Sequence, residues 1–203
     1  GVLLDENINW KDHISTVENK ISKNIGLLYR ARPYLNKESM VKLYYSYIHC
    51  FLNYANLAWA STNKTNLHKI HIKQKHAIRV VANETRYAHS KPLMRSLQIL
   101  NIYQLNIHKT LIFMHQVNNS TAPSVFQEKF KYPNHKYPTK FSKNNFLKPK
   151  QYSVQSNFRI TSRGPTIWNK MLSSPEKELQ NALFFKAKVK EKILAADNET
   201  EFF

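Results

Sequence analysis

Glycine, aspartate and cysteine are all scarce in this chain of 203 residues. The only glycines are Gly1, Gly26 and Gly164, which removes the dinucleotide fingerprint and the Walker-type phosphate loop, because both need several glycines close together. The only aspartates are Asp5, Asp12 and Asp197, a poor supply for a two-metal nuclease or polymerase site. A single cysteine, Cys50, excludes a disulfide framework and any multi-cysteine zinc centre. Carboxylates as a class are few: 13 Asp and Glu face 31 Lys and Arg, a formal net charge of +18. What remains is a basic chain, expected to be intracellular, whose natural counterpart is a polyanion.

The composition, 42% apolar and 12% aromatic, is that of a folding protein and not of a disordered basic tail. A chain this long can bury roughly 70% of its unfolded surface. The first residues have neither a basic nor an apolar leader region, and Gly1-Val2-Leu3-Leu4-Asp5 reads as the end of a strand. The expectation is therefore a fragment of a larger protein. Leu43 to Asn63 carries no Asp, Glu, Lys or Arg. Its polar members Ser46, His49, Asn53 and Asn56 fall on one helical stripe, opposite Tyr44, Tyr47, Ile48, Phe51, Leu52 and Ala55. That pattern predicts an amphipathic core helix and argues against a membrane span.

The periodicity predicts a mainly α-helical bundle. From Asp12 to Arg32, the residues Ile14, Val17, Ile21, Ile25 and Leu28 recur at helical spacing until Pro33 interrupts them. Asn36 is the expected N-cap of a second helix reaching Trp59 or Ala60. A third, about Thr65 to Ala82, places Leu67, Ile70, Gln74, Ala77, Ile78 and Val81 on a core stripe. His68, Lys69, Lys73, Lys75, His76 and Arg79 occupy its far side, with Ile72 and Val80 as exceptions. Pro92 suits the first turn of a short helix ending near Leu97. Asn101 is expected to cap a further helix through Val117.

After Asn118 the texture changes. Lys129 to Lys170 holds ten Lys and Arg, no carboxylate, and Pro133, Pro138, Pro149 and Pro165. A block of one sign repels itself and stays open until an anion arrives. A last helix, about Glu176 to Ala195, carries Phe185, Val189 and Ile193 on one stripe, with lysines between them. The expected organisation is the end of a strand (1–9), a helical bundle (10–118), a basic proline-containing linker (119–165) and a C-terminal helical segment (166–203).

No catalytic set emerges. His68 and His71, and His108 and His115, are the histidine pairs that invite a metal, but no acid or cysteine lies within a turn to complete a tetrahedron. Cys50 sits beside His49 in sequence, yet adjacent helical residues diverge by about 100°, so a buried, unreactive thiol is expected. The basic residues make the stronger case. Arg30 and Arg32 close the first helix. Lys69, Lys73, Lys75 and Arg79 line the third. Lys140, Lys143, Lys148, Lys150 and Arg163 belong to the basic block, where Tyr132, Tyr137, Phe141, Phe146, Tyr152 and Phe158 interleave with cations. Cations neutralise phosphates and rings pack on bases or sugars, so these residues are the candidate nucleic-acid contacts.

Four stretches then resemble one pattern in order. Gly1 to Asp5, Trp10 to Ile14, Lys20-Ile21 and Ile25 to Leu28 resemble the segment that follows the palm of non-LTR (LINE-type, jockey-like) retrotransposon reverse transcriptases. Leu43 to His49, Leu52 to Ala55 and Ala58-Trp59 are similar to that family's next helix. Leu67, Ile70 and Gln74-Lys75-His76-Ala77-Ile78-Arg79 resemble its Gln-(Lys/Arg)-x-Ala-(Ile/Val)-Arg helix. Arg163-Gly164-Pro165-Thr166-Ile167-Trp168-Asn169 is similar to its Gly-Pro-x-x-Trp-Asn signature, followed by a Phe-Lys helix as at Phe185-Lys186. Departures are Ala55, where the pattern usually has glycine, and Met171-Leu172-Ser173, where it usually has Leu-Pro.

The resemblance implies the thumb and C-terminal part of an RNA-directed DNA polymerase. It further implies an RNA/DNA template–primer duplex as ligand, an upstream palm in the same polypeptide, and a nuclear setting. The catalytic aspartates, with their Mg²⁺, belong to that palm, and the Tyr/Phe-x-Asp-Asp motif is missing here, so this chain is expected to be inactive alone and to need no cofactor itself. Gly164, Pro165 and Trp168 are expected to serve structure, as a turn and an anchor for the basic linker. The alternatives are a free-standing, sequence-nonspecific RNA/DNA-binding protein and, from the histidines, a metallonuclease.

Overall fold

The computed structural model describes residues 1–133, 145–150 and 158–196. The chain is mainly α-helical, and it divides into two compact units. Among the described residues the first unit is 1–105 and the second 106–196.

The first unit is a helical bundle built from the periodic segments. Helix α1 (Lys11–Ala31) buries Ile14, Val17, Ile21, Ile25 and Leu28, together with His13. Pro33 follows in a 3₁₀ turn, Arg32–Tyr34. Asn36 caps α2 (Lys37–Tyr44), its side-chain oxygen accepting from the Ser39 amide at 2.8 Å. The helix then widens into a π-type stretch, Tyr45–His49, before α3 (Cys50–Asn53). Asn24 of α1 donates to the Tyr47 carbonyl at 2.6 Å beside this wide turn.

The predicted continuous second helix does not reach Trp59 unbroken. It stops at Asn53, and Ala55 takes a left-handed conformation (φ 48°) before the short α4 (Asn56–Trp59). Side chains replace the lost backbone bonds: Asn56 donates to the Leu52 carbonyl (2.8 Å) and the Trp59 indole to that of Tyr54 (2.7 Å). Positive φ is the conformation glycine takes most readily, and here a residue with a Cβ holds it. The wide turn also changes which residues face inward. Met40, Tyr44, Ile48 and Leu52 are buried at every fourth position, whereas Tyr47, Ala55 and Cys50 are exposed. The thiol is therefore at the surface and not in the core, because it lies two residues from Ile48 and Leu52 on the opposite side.

Helix α5 (Lys64–Val81) packs against α1. Asn63 caps it, and Leu67, Ile70, Gln74, Ala77, Ile78 and Val81 are all buried, with Val80 added to the expected stripe. Gln74 is a fully enclosed polar group. Its amide donates to the Tyr44 hydroxyl (2.9 Å) and the Leu100 carbonyl (3.0 Å), and its oxygen accepts from the Ile102 amide (2.8 Å). Burial holds the Tyr44 phenol well above its ordinary pKa. Helix α6 (Ser90–Ser96) leads to α7 (Ile102–Asn118), capped reciprocally by Asn101 and Gln104.

Residues 1–9 are not a strand. Among the described residues none is β, so an N-terminal extended segment has nothing to pair with. Instead the Asp5 carboxylate accepts from the amides of Asn7, Asn9 and Trp10 at 3.0–3.1 Å.

The second unit begins within α7, not at the expected 118/119 boundary, because His115 of that helix stacks on Phe185 and Phe113 packs against Phe126 and Phe130. Its helices are α8 (Ser124–Gln127), α9 (Ile160–Met171), α10 (Ser174–Lys177) and α11 (Ala182–Ala195). Rings link its core in series: Phe130 to Phe146 (5.9 Å), Phe146 to Trp168 (5.8 Å) and Trp168 to Phe185 (6.1 Å), with His115 stacked on Phe185 at 4.1 Å. Such pairs contribute about 0.5–1.5 kcal/mol each beyond the area they bury.

Candidate nucleic-acid interface

The polar side of α5 carries the predicted cations. Lys69 is exposed, and Lys73, Lys75 and Arg79 are half-buried along their stems. Two of them are restrained. Lys73 lies 3.7 Å from Glu18 of α1, and the Arg79 Nε donates to the Ala88 carbonyl at 2.7 Å. That second bond fixes the guanidinium against the loop after α5 and leaves further donors for a ligand.

At the C-terminal end of α5 the surface folds into a cleft of about 400 Å³, lined by Tyr29, Arg32, His76, Arg79, Glu84 and Arg86, among others. Arg32 is anchored there by donating to the Asn83 side chain. The His76 imidazole is held below its ordinary pKa, first by partial burial and then by the charges of Arg86, Arg79 and Lys73. Its surroundings are therefore dominated by positive charge, with Glu84 the carboxylate on the lining. Three guanidiniums around one concavity suit a phosphoryl group, since each offers a planar fork of donors.

The remaining predicted contacts are placed differently. Arg30 is exposed in the last turn of α1. Lys148 and Lys150 are exposed in the second unit, on a segment held by Asn169. Lys140 and Lys143 lie outside the described residues. Arg163 is a correction: it is 6% exposed within α9, and burial pushes its pKa down to about 10. A side chain so enclosed is not presented to a duplex.

The Gly164-Pro165-x-x-Trp168 segment is a second correction in its local form. It is not a turn; both Gly164 and Pro165 lie inside α9. Packing is close at the glycine: a Cβ there would stand 2.5 Å from the Met114 Sδ of α7, so the methionine side chain would have to shift. Pro165 costs the helix one amide donor. Trp168 is fully buried, so it is not available to stack on a base. Asn169 clamps the Phe146 backbone from both sides, accepting from its amide (3.0 Å) and donating to its carbonyl (2.8 Å).

The histidine pairs do not assemble a metal set. The His68 and His71 rings are 6.2 Å apart, and among the described residues no three His, Cys, Asp or Glu side chains converge. His71 lies beside Tyr103, and burial lowers its pKa to about 4. No helix among the described residues is long and apolar enough to cross a membrane.

Sequence reasoning missed His76 and Arg86 as partners of Arg32 and Arg79. Arg86 lies in the aperiodic loop after α5, where spacing carries no information. No protein-family model, curated protein or solved structure matches the chain.

Proposed function

We propose that this chain binds nucleic acid through its sugar-phosphate backbone, as the thumb-like, non-catalytic part of an RNA-directed DNA polymerase of the non-LTR retrotransposon kind. The observation that carries the binding half of this reading is the cleft lined by Arg32, Arg79 and Arg86 at the end of a helix whose polar side also carries Lys69, Lys73 and Lys75. The motif resemblance supplies the other half: an RNA–DNA template–primer hybrid as ligand, and an upstream palm holding Mg²⁺ and the reacting groups. A hybrid tends toward A-like form, whose wide, shallow minor groove exposes a broad rail of sugars and phosphates. Cations on a rigid helix suit such a rail because they need no sequence to read.

Fluorescence anisotropy with a labelled hybrid duplex tests the reading. If six to ten phosphates are neutralised, affinity falls roughly 10³–10⁵-fold between 50 and 200 mM salt. Replacing Arg32, Arg79 and Arg86 together by Gln flattens that dependence. Affinity independent of salt, or untouched by the triple replacement, overturns it.

A further inference from the structure

Two of the rings expected to meet bases are engaged elsewhere. Phe146 is buried, and Tyr132 stacks on it at 4.8 Å while its hydroxyl donates to the Asn118 side chain. Tyr29 of α1 differs from both. It is 62% exposed, it lines the cleft at the end of α5, and among the described residues its ring packs on no other ring. The backbone contacts proposed above make no use of it.

Two helix ends and a loop build the cleft. Tyr29 and Arg32 stand three residues apart at the end of α1, and His76 and Arg79 three apart on α5, so each pair shares a face. The loop after α5 closes the third side with Asn83, Glu84 and Arg86. That loop is tied to both helices. The Arg32 Nε donates to the Asn83 side chain, the Glu84 amide to the Arg79 carbonyl at 2.9 Å, and the Arg79 Nε to the Ala88 carbonyl at 2.7 Å. Bonds through Nε fix the two guanidinium planes and leave their Nη groups to donate. Three guanidiniums line the cavity against one carboxylate, Glu84, so it favours an anion. Its volume, about 400 Å³, is near the lower end of the roughly 300–1,000 Å³ of small-ligand sites, which suits one nucleotide and not a helix. A base within a duplex is covered by its neighbours, whereas an unpaired base can lie on a side chain.

We propose that this cleft seats one unpaired nucleotide, its phosphate on Arg32, Arg79 and Arg86 and its base stacked on Tyr29. The site rests on the backbone binding proposed above and adds a base contact to it. That contact is indifferent to sequence, because every base has a π-face.

Fluorescence anisotropy of the full chain with three labelled probes provides the test: a single-stranded DNA oligonucleotide, an abasic strand of the same length, which keeps the phosphates, and a blunt hybrid duplex. The base-bearing strand is expected to bind more tightly than the abasic one. Tyr29→Ala is expected to weaken the base-bearing strand about 5–150-fold, the range for one lost stack, and to leave the abasic strand and the blunt hybrid unchanged. Tyr29→Phe is expected to keep the preference, since stacking needs the ring and not the hydroxyl. Tyr34→Ala is expected to keep it too, because that ring, 85% exposed, does not line the cleft. Arg32→Gln/Arg79→Gln/Arg86→Gln is expected to weaken both strands alike, the slope of log K against log salt falling by about 0.7 per guanidinium withdrawn. A parent with no preference for bases, a preference retained in Tyr29→Ala or lost equally in Tyr34→Ala, or a Tyr29→Ala loss shared by all three probes overturns the site. Salt-dependent binding of the hybrid alongside any of these leaves the function proposed above standing. Salt-independent binding of all three probes overturns both.

Discussion

In α5 the cations stand on the solvent side of an amphipathic helix; in α9 and α10 two of them are inside. Lys69 is exposed and Lys73 partly so, whereas Arg163 and Lys177 are 6% and 4% exposed. The Lys177 ammonium donates to the Asn145 oxygen at 2.6 Å, and burial holds its pKa below the usual lysine value, although Glu176 opposes the shift. The same residue types thus serve opposite ends in the two units. Where a 3.6-residue period exists, it sorts charge outward. In α9 and α10 a long basic side chain instead runs its stem through the core, and the Lys177 head serves there as an internal strut. A net charge of +18 therefore overstates the cationic surface, and only position shows which groups can meet a ligand.

The largest expected effect comes from the middle of the second unit's aromatic series. Trp168→Ala should cost about 3–5 kcal/mol, as for a fully buried indole, read as a lower urea midpoint. A loss below 1 kcal/mol would mean that the aromatic series is not the core of the second unit. Acid sets the first unit apart next. His71 titrates near 6.5 when unfolded and near 4 when folded, so its contribution is complete above pH 6.5 and is lost as pH falls toward 4. Urea unfolding at pH 4.5 should show about 2–3 kcal/mol less stability than at pH 7 from this group, and His71→Gln should remove most of that difference.

Arg163→Gln follows, with about 1–3 kcal/mol of stability lost and the salt slope of nucleic-acid binding unchanged. A change in the slope instead would return Arg163 to the binding surface. Smallest in stability is Lys69→Gln with Lys73→Gln, within about 0.5 kcal/mol of the parent, yet lowering the slope by about 1.8. If this pair destabilises like Arg163→Gln, the division between outward and inward cations fails.

The helices of the first unit were legible because their apolar residues obey one period. All the expected inward positions of α1 and α5 are buried, and Asn36 and Asn101 act as caps. The stretch from Tyr44 to Trp59 was legible only in part. Its wide turn and the reversal at Ala55 depend on side chains of α1, Asn56 and Trp59 accommodating freed carbonyls, which no local pattern announces. The burial of Arg163 was hidden by its neighbours, since Gly164-Pro165 reads as a turn and the close approach of Met114 to Gly164 exists only in the folded chain. Of the candidate interface, the α5 face followed from periodicity. The cleft did not, because Arg32 and Arg86 reach it from an irregular turn and a loop.

Gln74 has a consequence of another kind. First-turn amides of a helix ordinarily trade their hydrogens with solvent freely, for want of an intrahelical acceptor. The Ile102 amide is instead held by a side chain from another helix, in an enclosed setting. Its deuterium uptake should track the slowest protons of α5 and not those of its own helix end, so one slow amide would report the cooperative opening of the whole first unit.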